Sequence, residues 1–173
     1  MSKLVAGLSG MMVAMAVSVS APAMVLGPAS ISCEHGEGPA MLVHIEGLKS
    51  RTGTVRVQSY GGPANTYFDK GAYLRRIDVR PPASGPIDVC VPVPTAGTYA
   101  VSVRHDADGS GKTGLSDGGG MSGNPKMSFM DVVSRRKPDP KTVQVLVKGV
   151  TTVQITMNYM QGFSFRPLAM AAR

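Results

Sequence analysis

At 173 residues, with 18 Lys and Arg against 11 Asp and Glu, the chain carries a net charge of +7 and has room for one domain with a single core. A basic balance of this size first suggests nucleic acid. Aromatic residues make up only 5% of the chain, however, and none are interleaved with basic residues as a base-stacking surface requires, which excludes that partner.

The chain opens with a lone charge at Lys3, an uncharged apolar run from Leu4 to Val19 and a small-residue Ala21-Pro22-Ala23 site, the anatomy of a secretory signal peptide cleaved near Ala23. Gly7, Ser9, Gly10 and Ser18 interrupt that run, which stops short of the roughly 20 apolar residues a spanning helix needs. No later stretch is apolar for long enough, so no transmembrane segment is expected in the mature chain. Ser30-Ile31-Ser32 ahead of Cys33 is a poor lipobox, which argues against lipidation. Removing residues 1–23 from the 173 leaves 150 residues, and losing Lys3 lowers the net charge to +6. For an exported, periplasmic or secreted chain, the natural anionic neighbours are envelope polymers and lipid head groups, or another envelope protein; the plainer account is a surface basic only for solubility.

Two cysteines in an exported chain invite a disulfide. A Cys33–Cys90 bridge would tie the segment 24–39 to the domain that follows, and chain entropy assigns about 4 kcal/mol to a loop of that length. In the run Ile87 to Val93 the residues Ile87, Val89, Val91 and Val93 share one face, so Cys90 points to the other and the bridge crosses the outer side of that strand. A metal site of Cys33, His35 and Cys90 is the alternative, and it lacks a fourth ligand.

From Ala40 to about residue 160 the dominant period is two. Met41, Val43 and Ile45 mark the first strand, Val55 and Val57 the second, Ile77 and Val79 the third, Ile87 to Val93 the fourth and Tyr99 to Arg104 the fifth. Val143, Val145 and Val147 form a sixth, and Val153, Ile155, Met157 and Tyr159 a seventh, with so little between them around Gly149 that a hairpin is expected. These features predict an all-β fold: a two-sheet antiparallel sandwich, immunoglobulin-like or transthyretin-like, of about seven strands. A short helix is expected near 125–136, capped by Asn124 and started by Pro125, with Met127, Met130 and Val133 on its packed face. The tail 161–173 is expected to be mobile, with Phe163 and Phe165 able to dock on a sheet.

One stretch has a chemical reading. With Asp106 at position 1, the loop after the fifth strand places Asp108 at 3, Ser110 at 5, Gly111 at 6, Lys112 at 7 and Asp117 at 12, close to the oxygen spacing of calcium loops, with Lys112 contributing its carbonyl. Ser110 is a poorer ligand than Asp, Asp117 is shorter than the usual bidentate glutamate, and no helices flank the loop, so it is not an EF-hand. The competing account takes precedence: a solvated loop whose Asp and Ser side chains satisfy their own backbone, with Ca2+ as the sharper alternative. Catalysis is not expected, because His105 and Asp106 are neighbours on a strand and face opposite ways. A copper site of Met121, Met127 and Met130 is set aside in favour of packing.

The run Gly97-Thr98-Tyr99-Ala100-Val101-Ser102-Val103-Arg104-His105-Asp106, then Asp108 to Lys112, then Gly120-Met121-Ser122-Gly123-Asn124-Pro125, resembles the bacterial secreted family known as domain of unknown function 2141, over roughly Met41 to Tyr159. The chain departs from that family's pattern at Ser110, commonly asparagine, and at Gly114, commonly acidic. The resemblance implies an exported β-sandwich module without an established activity. The expectation is therefore a non-catalytic envelope or adhesion-type module, and the alternative is a hydrolase acting on envelope polymers, which would need a pocket where two titratable groups converge.

Overall fold

The computed structural model describes residues 24–168; the leader expected over residues 1–23 and its cleavage site lie outside the described residues, as does the tail beyond Leu168. In chain order the strands are β1 (Val25–Leu26), β2 (Ala40–Glu46), β3 (Thr54–Tyr60), β4 (Arg75–Val79), β5 (Ile87–Pro92), β6 (Gly97–Asp106), β7 (Gly118–Met121), β8 (Val145–Val147), β9 (Val150–Thr156), β10 (Asn158–Gln161) and β11 (Ser164–Pro167). Three short helices, α1 (Ser30–His35), α2 (Phe129–Val133) and α3 (Pro140–Val143), lie between them.

The strands form two sheets, one in the order β1-β5-β2-β9 and the other in the order β11-β10-β7-β6-β3-β4, with β8 added against β6. Pairing is mostly antiparallel, the parallel exceptions being β1 on β5 and β2 on β9. Alternation sets the layers. Met41, Val43 and Ile45 of β2 stand beside Val91, Val89 and Ile87 of β5, while Val55 and Val57 of β3 stand beside His105 and Val103 of β6. These side chains are buried and meet in one core between the sheets. Each buried Val or Ile contributes about 1.5–3 kcal/mol, so this one-sided pattern is what makes the two sheets face each other.

Cys33 and Cys90 are disulfide-bonded, with a Cα–Cα distance of 5.8 Å and a sequence separation of 57. The bond lies on the outer side of β5, as the alternation requires, and α1 packs there in a cluster of Cys33, Ala40 and Cys90 bordered by Val25 and Leu42. β5 is consequently covered on both faces.

Five expectations are corrected. β8 and β9 are not a hairpin: β8 pairs with β6 at Gly97–Tyr99 and β9 pairs with β2. The reason is that β7 covers β6 only from Ser102 to His105, leaving the edge at Gly97–Tyr99 for β8, while β2 has a free edge for β9. The expected seventh strand is broken at Met157, whose N–H donates to the Glu46 carbonyl, so that β9 and β10 belong to different sheets. The tail continues the sheet, since β11 pairs with β10 through Pro167. The helix near 125–136 starts later than Asn124: Ser128 caps it, accepting from the Asp131 N–H while the Asp131 carboxylate accepts from the Ser128 N–H. Asn124 instead has φ of 46° and braces β9, accepting from the Thr156 N–H and donating to the Gln154 carbonyl. Met130 and Val133 are 65% and 59% exposed, so they do not form the packed face expected of them.

Candidate functional site

The acidic loop leaves β6 at its last residues, where alternation turns His105 into the core and Asp106 to the other side. His105 is fully buried, and both ring nitrogens are engaged. Its Nε2 lies 2.9 Å from the Thr52 carbonyl oxygen, which can only accept, so the proton is on Nε2 and Nδ1 accepts from the Tyr159 hydroxyl at 2.6 Å. The same hydroxyl accepts from the Lys49 N–H at 3.1 Å. Burial pushes the Tyr159 phenol up to about 12. The β6 end, the turn at 49–53 and β10 are thus fastened together beneath the loop.

Two glycines let the chain close on this anchor. A Cβ on Gly53, whose φ is +74°, would stand 1.8 Å from the Asp106 carbonyl oxygen, and one on Gly118 would stand 2.4 Å from the Tyr159 ring. Only glycine fits either place. Thr52 reinforces the first by donating to the Ala107 carbonyl at 2.9 Å.

Above the anchor, Asp106, Asp108 and Asp117 converge: one carboxylate oxygen from each lies within 4.8 Å of the others. The loop folds this way because its own backbone donors point at those carboxylates. Gly111 N–H donates to Asp106 at 2.9 Å, Ser110 N–H to Asp108 at 3.0 Å, and the N–H groups of Ala107 and Gly114 to the two oxygens of Asp117 at 3.1 and 3.0 Å. The Ser116 hydroxyl donates to Asp108 at 2.9 Å. Hydrogen bonds from the Ser110 hydroxyl and N–H and from the Ser116 hydroxyl hold the Asp108 carboxyl down at about 2, so it remains charged at any ordinary pH.

Arg104 supplies the counter-charge, with one guanidinium nitrogen 3.3 Å from Asp106 and another 3.2 Å from the Thr113 hydroxyl. Its Nε is buried without a partner, and so is Oδ1 of Asp106. The Asp106 side chain is only 8% exposed. Of the six carboxylate oxygens in the cluster this is the one with no hydrogen bond.

The structure therefore brings together three of the five residues expected from spacing. Ser110 reaches the cluster through its N–H to Asp108, and its hydroxyl lies 3.3 Å from both the Lys112 N and its carbonyl oxygen. Arg104 and Ser116 belong to the site and were not singled out by spacing. Tyr159 and Gly53 support it from 53 residues away on either side of the loop's start, and nothing local marks them. Of the other expected centres, Cys33 and Cys90 are consumed by their disulfide, which removes the site with His35.

Residues 43–155 match the family model described as "Uncharacterized protein conserved in bacteria (DUF2141)", a span running from β2 through the loop into β9. Comparison with curated proteins and with solved structures finds no match.

Proposed function

The chain belongs to the DUF2141 family, and from that footing we propose that it is an exported, non-catalytic β-sandwich module of the bacterial envelope whose acidic loop binds Ca2+ through Asp106, Asp108 and Asp117. The observation that carries this reading is Asp106 Oδ1, a buried carboxylate oxygen without a partner beside two further carboxylates. A buried oxygen left without a partner is costly even where Arg104 pairs the other oxygen of the same carboxylate, and crowded carboxylates repel; a divalent cation relieves both. Calcium takes six to eight oxygens, so the Ser110 hydroxyl, the Lys112 carbonyl and water would complete the set. Its role would be structural, tying the loop to the rim of the sandwich.

Export is supported by the Cys33–Cys90 bond, which persists in oxidising compartments, together with the apolar leader. The basic mature surface suits anionic envelope polymers or an acidic envelope protein as partner. The non-catalytic reading is supported by His105, whose two nitrogens are both spent on the anchor. Among the described residues no helix is long and apolar enough to cross a membrane.

The test is thermal unfolding of the mature, oxidised protein in chelator and in increasing calcium. Binding to the native state stabilises by about 2.7 kcal/mol at a hundredfold excess over Kd, so the midpoint climbs with calcium. Magnesium at equal concentration has a smaller effect, and Asp106→Asn abolishes the rise. An unchanged midpoint at millimolar calcium removes the ion from the account.

A further inference from the structure

On the outer face of the larger sheet, a cavity of about 550 Å³ opens between the strands and the segment 124–138 that carries α2. This is the size of a small-molecule site, roughly 300–1,000 Å³. Met160 and Phe165 line it from β10 and β11, and Met127, Phe129 and Val132 from the segment that carries α2.

Gly119 lines the cavity as well, and its lack of a side chain has a different origin from that of its neighbours. At Gly118 and Gly120 a Cβ would strike the Tyr159 ring at 2.4 Å and Ile155 at 2.5 Å, so core packing demands glycine. At Gly119 the nearest atom to an added Cβ is Cζ of Phe165 at 3.4 Å, and packing demands nothing. A methyl fits there in ordinary contact, while a longer side chain would press on the Phe165 ring and take up space in the cavity.

The rim is basic. Arg104, Arg135, Arg136 and Lys137 line it against Asp117 and Asp131. Arg104 is held by Asp106 and Lys137 by Asp69, while Arg136 stands 3.6 Å from Asp131 and is 77% exposed. Arg135 forms no ion pair among the described residues. Apolar side chains are left in water beside these charges: Val132 is 38% exposed and Val133 59%. Apolar lining open to solvent, with four cationic side chains against two carboxylates, complements a molecule that is apolar along its length and anionic at its tip.

We propose that the cavity binds a single-chain amphiphile, its alkyl chain lying over Gly119 and against α2 and its anionic head at Arg135 and Arg136. The proposal does not rest on calcium in the acidic loop, although that loop supplies part of the wall through Thr113 and Leu115.

The test uses the mature, oxidised protein and displacement of a fluorescent long-chain fatty acid, with competitors below their micellar concentrations, in chelator and again in calcium. Palmitate and lysophosphatidic acid separate a carboxylate from a phosphate head, and hexadecanol is the uncharged control. Saturable one-to-one binding of at least one anionic competitor, roughly tenfold tighter than hexadecanol, is expected in chelator as well as in calcium. Gly119→Leu and, on the half-exposed helix, Val132→Asp each weaken it roughly tenfold with the unfolding midpoint kept, and Arg135→Ala with Arg136→Ala removes the preference for the charged head. Absence of saturable binding to the wild type, or unchanged affinity in folded Val132→Asp, overturns the proposal. Binding in chelator with no calcium response would leave this site standing and sink only the ion.

Discussion

The phenol of Tyr159 shows how much one side chain can settle. It is 1% exposed, gives its proton to His105 and takes one from the Lys49 N–H, so every polar atom in the anchor is matched. Tyr159→Phe leaves the buried His105 Nδ1 without its partner and breaks the partly buried hydrogen bond from the Lys49 N–H, a loss of about 1–3 kcal/mol at neutral pH, readable as a fall in the denaturant midpoint. The alkaline limb gives a second reading. Burial raises the phenol from 10.0 to about 12, so the fold favours the neutral form. The unfolded chain sheds that proton from pH 10 upward; the stabilisation is therefore complete below pH 10 and is lost as pH rises to 12, amounting to roughly 3 kcal/mol. Phenolate absorbance followed against pH should show Tyr159 ionising late, and Tyr159→Phe should remove that component and make the stability curve shallower. Burial raises Tyr60 as well, so some slope survives the substitution.

At the scale of the element, β7 is three glycines and a methionine, a poor strand on propensity. It exists because β6 and β10 pair with it from either side and because Tyr159 and Ile155 occupy the space its side chains would need. Gly118→Ala should therefore cost about 1–3 kcal/mol through overpacking against a ring pinned by two hydrogen bonds, whereas Gly119→Ala, one residue away, should change stability by no more than about 0.5 kcal/mol. Equal losses in paired chemical-denaturation curves would contradict the assigned facing of the strand. β7 also marks a limit of legibility. Strands such as β2 and β3 declare themselves because a face buried on one side imposes period two locally, and Asp106, Asp108 and Asp117 declare themselves because ligand spacing is local too. Which edge β8 takes, and that Tyr159 lies under the loop, depend on contacts between distant segments. The start of α2 was present locally: Ser128 and Asp131 have capping-box spacing, but Asn124-Pro125 offered a competing start.

For the molecule as a whole, the two fastenings lie on opposite sides of the sandwich. The disulfide ties α1 to the outer face of the smaller sheet, and the acidic loop closes over the end of β6 in the larger one. Removing the bridge frees a 57-residue span in the unfolded chain, which the entropy model values at about 4 kcal/mol. That is a large share of the roughly 5–15 kcal/mol a domain of this kind possesses, so protein made in a reducing compartment should be markedly less stable. Because the bridge and the loop share no partners, their contributions should add to within about 0.5 kcal/mol. Denaturation of the wild type and of Cys33→Ser with Cys90→Ser, each in chelator and in calcium, forms the cycle that checks this. The serine pair should lower both midpoints and leave the calcium-dependent difference intact. A calcium increment that vanished with the bridge would mean that the sheets move together and that the loop is organised by the smaller sheet as well as by the anchor of His105 and Tyr159.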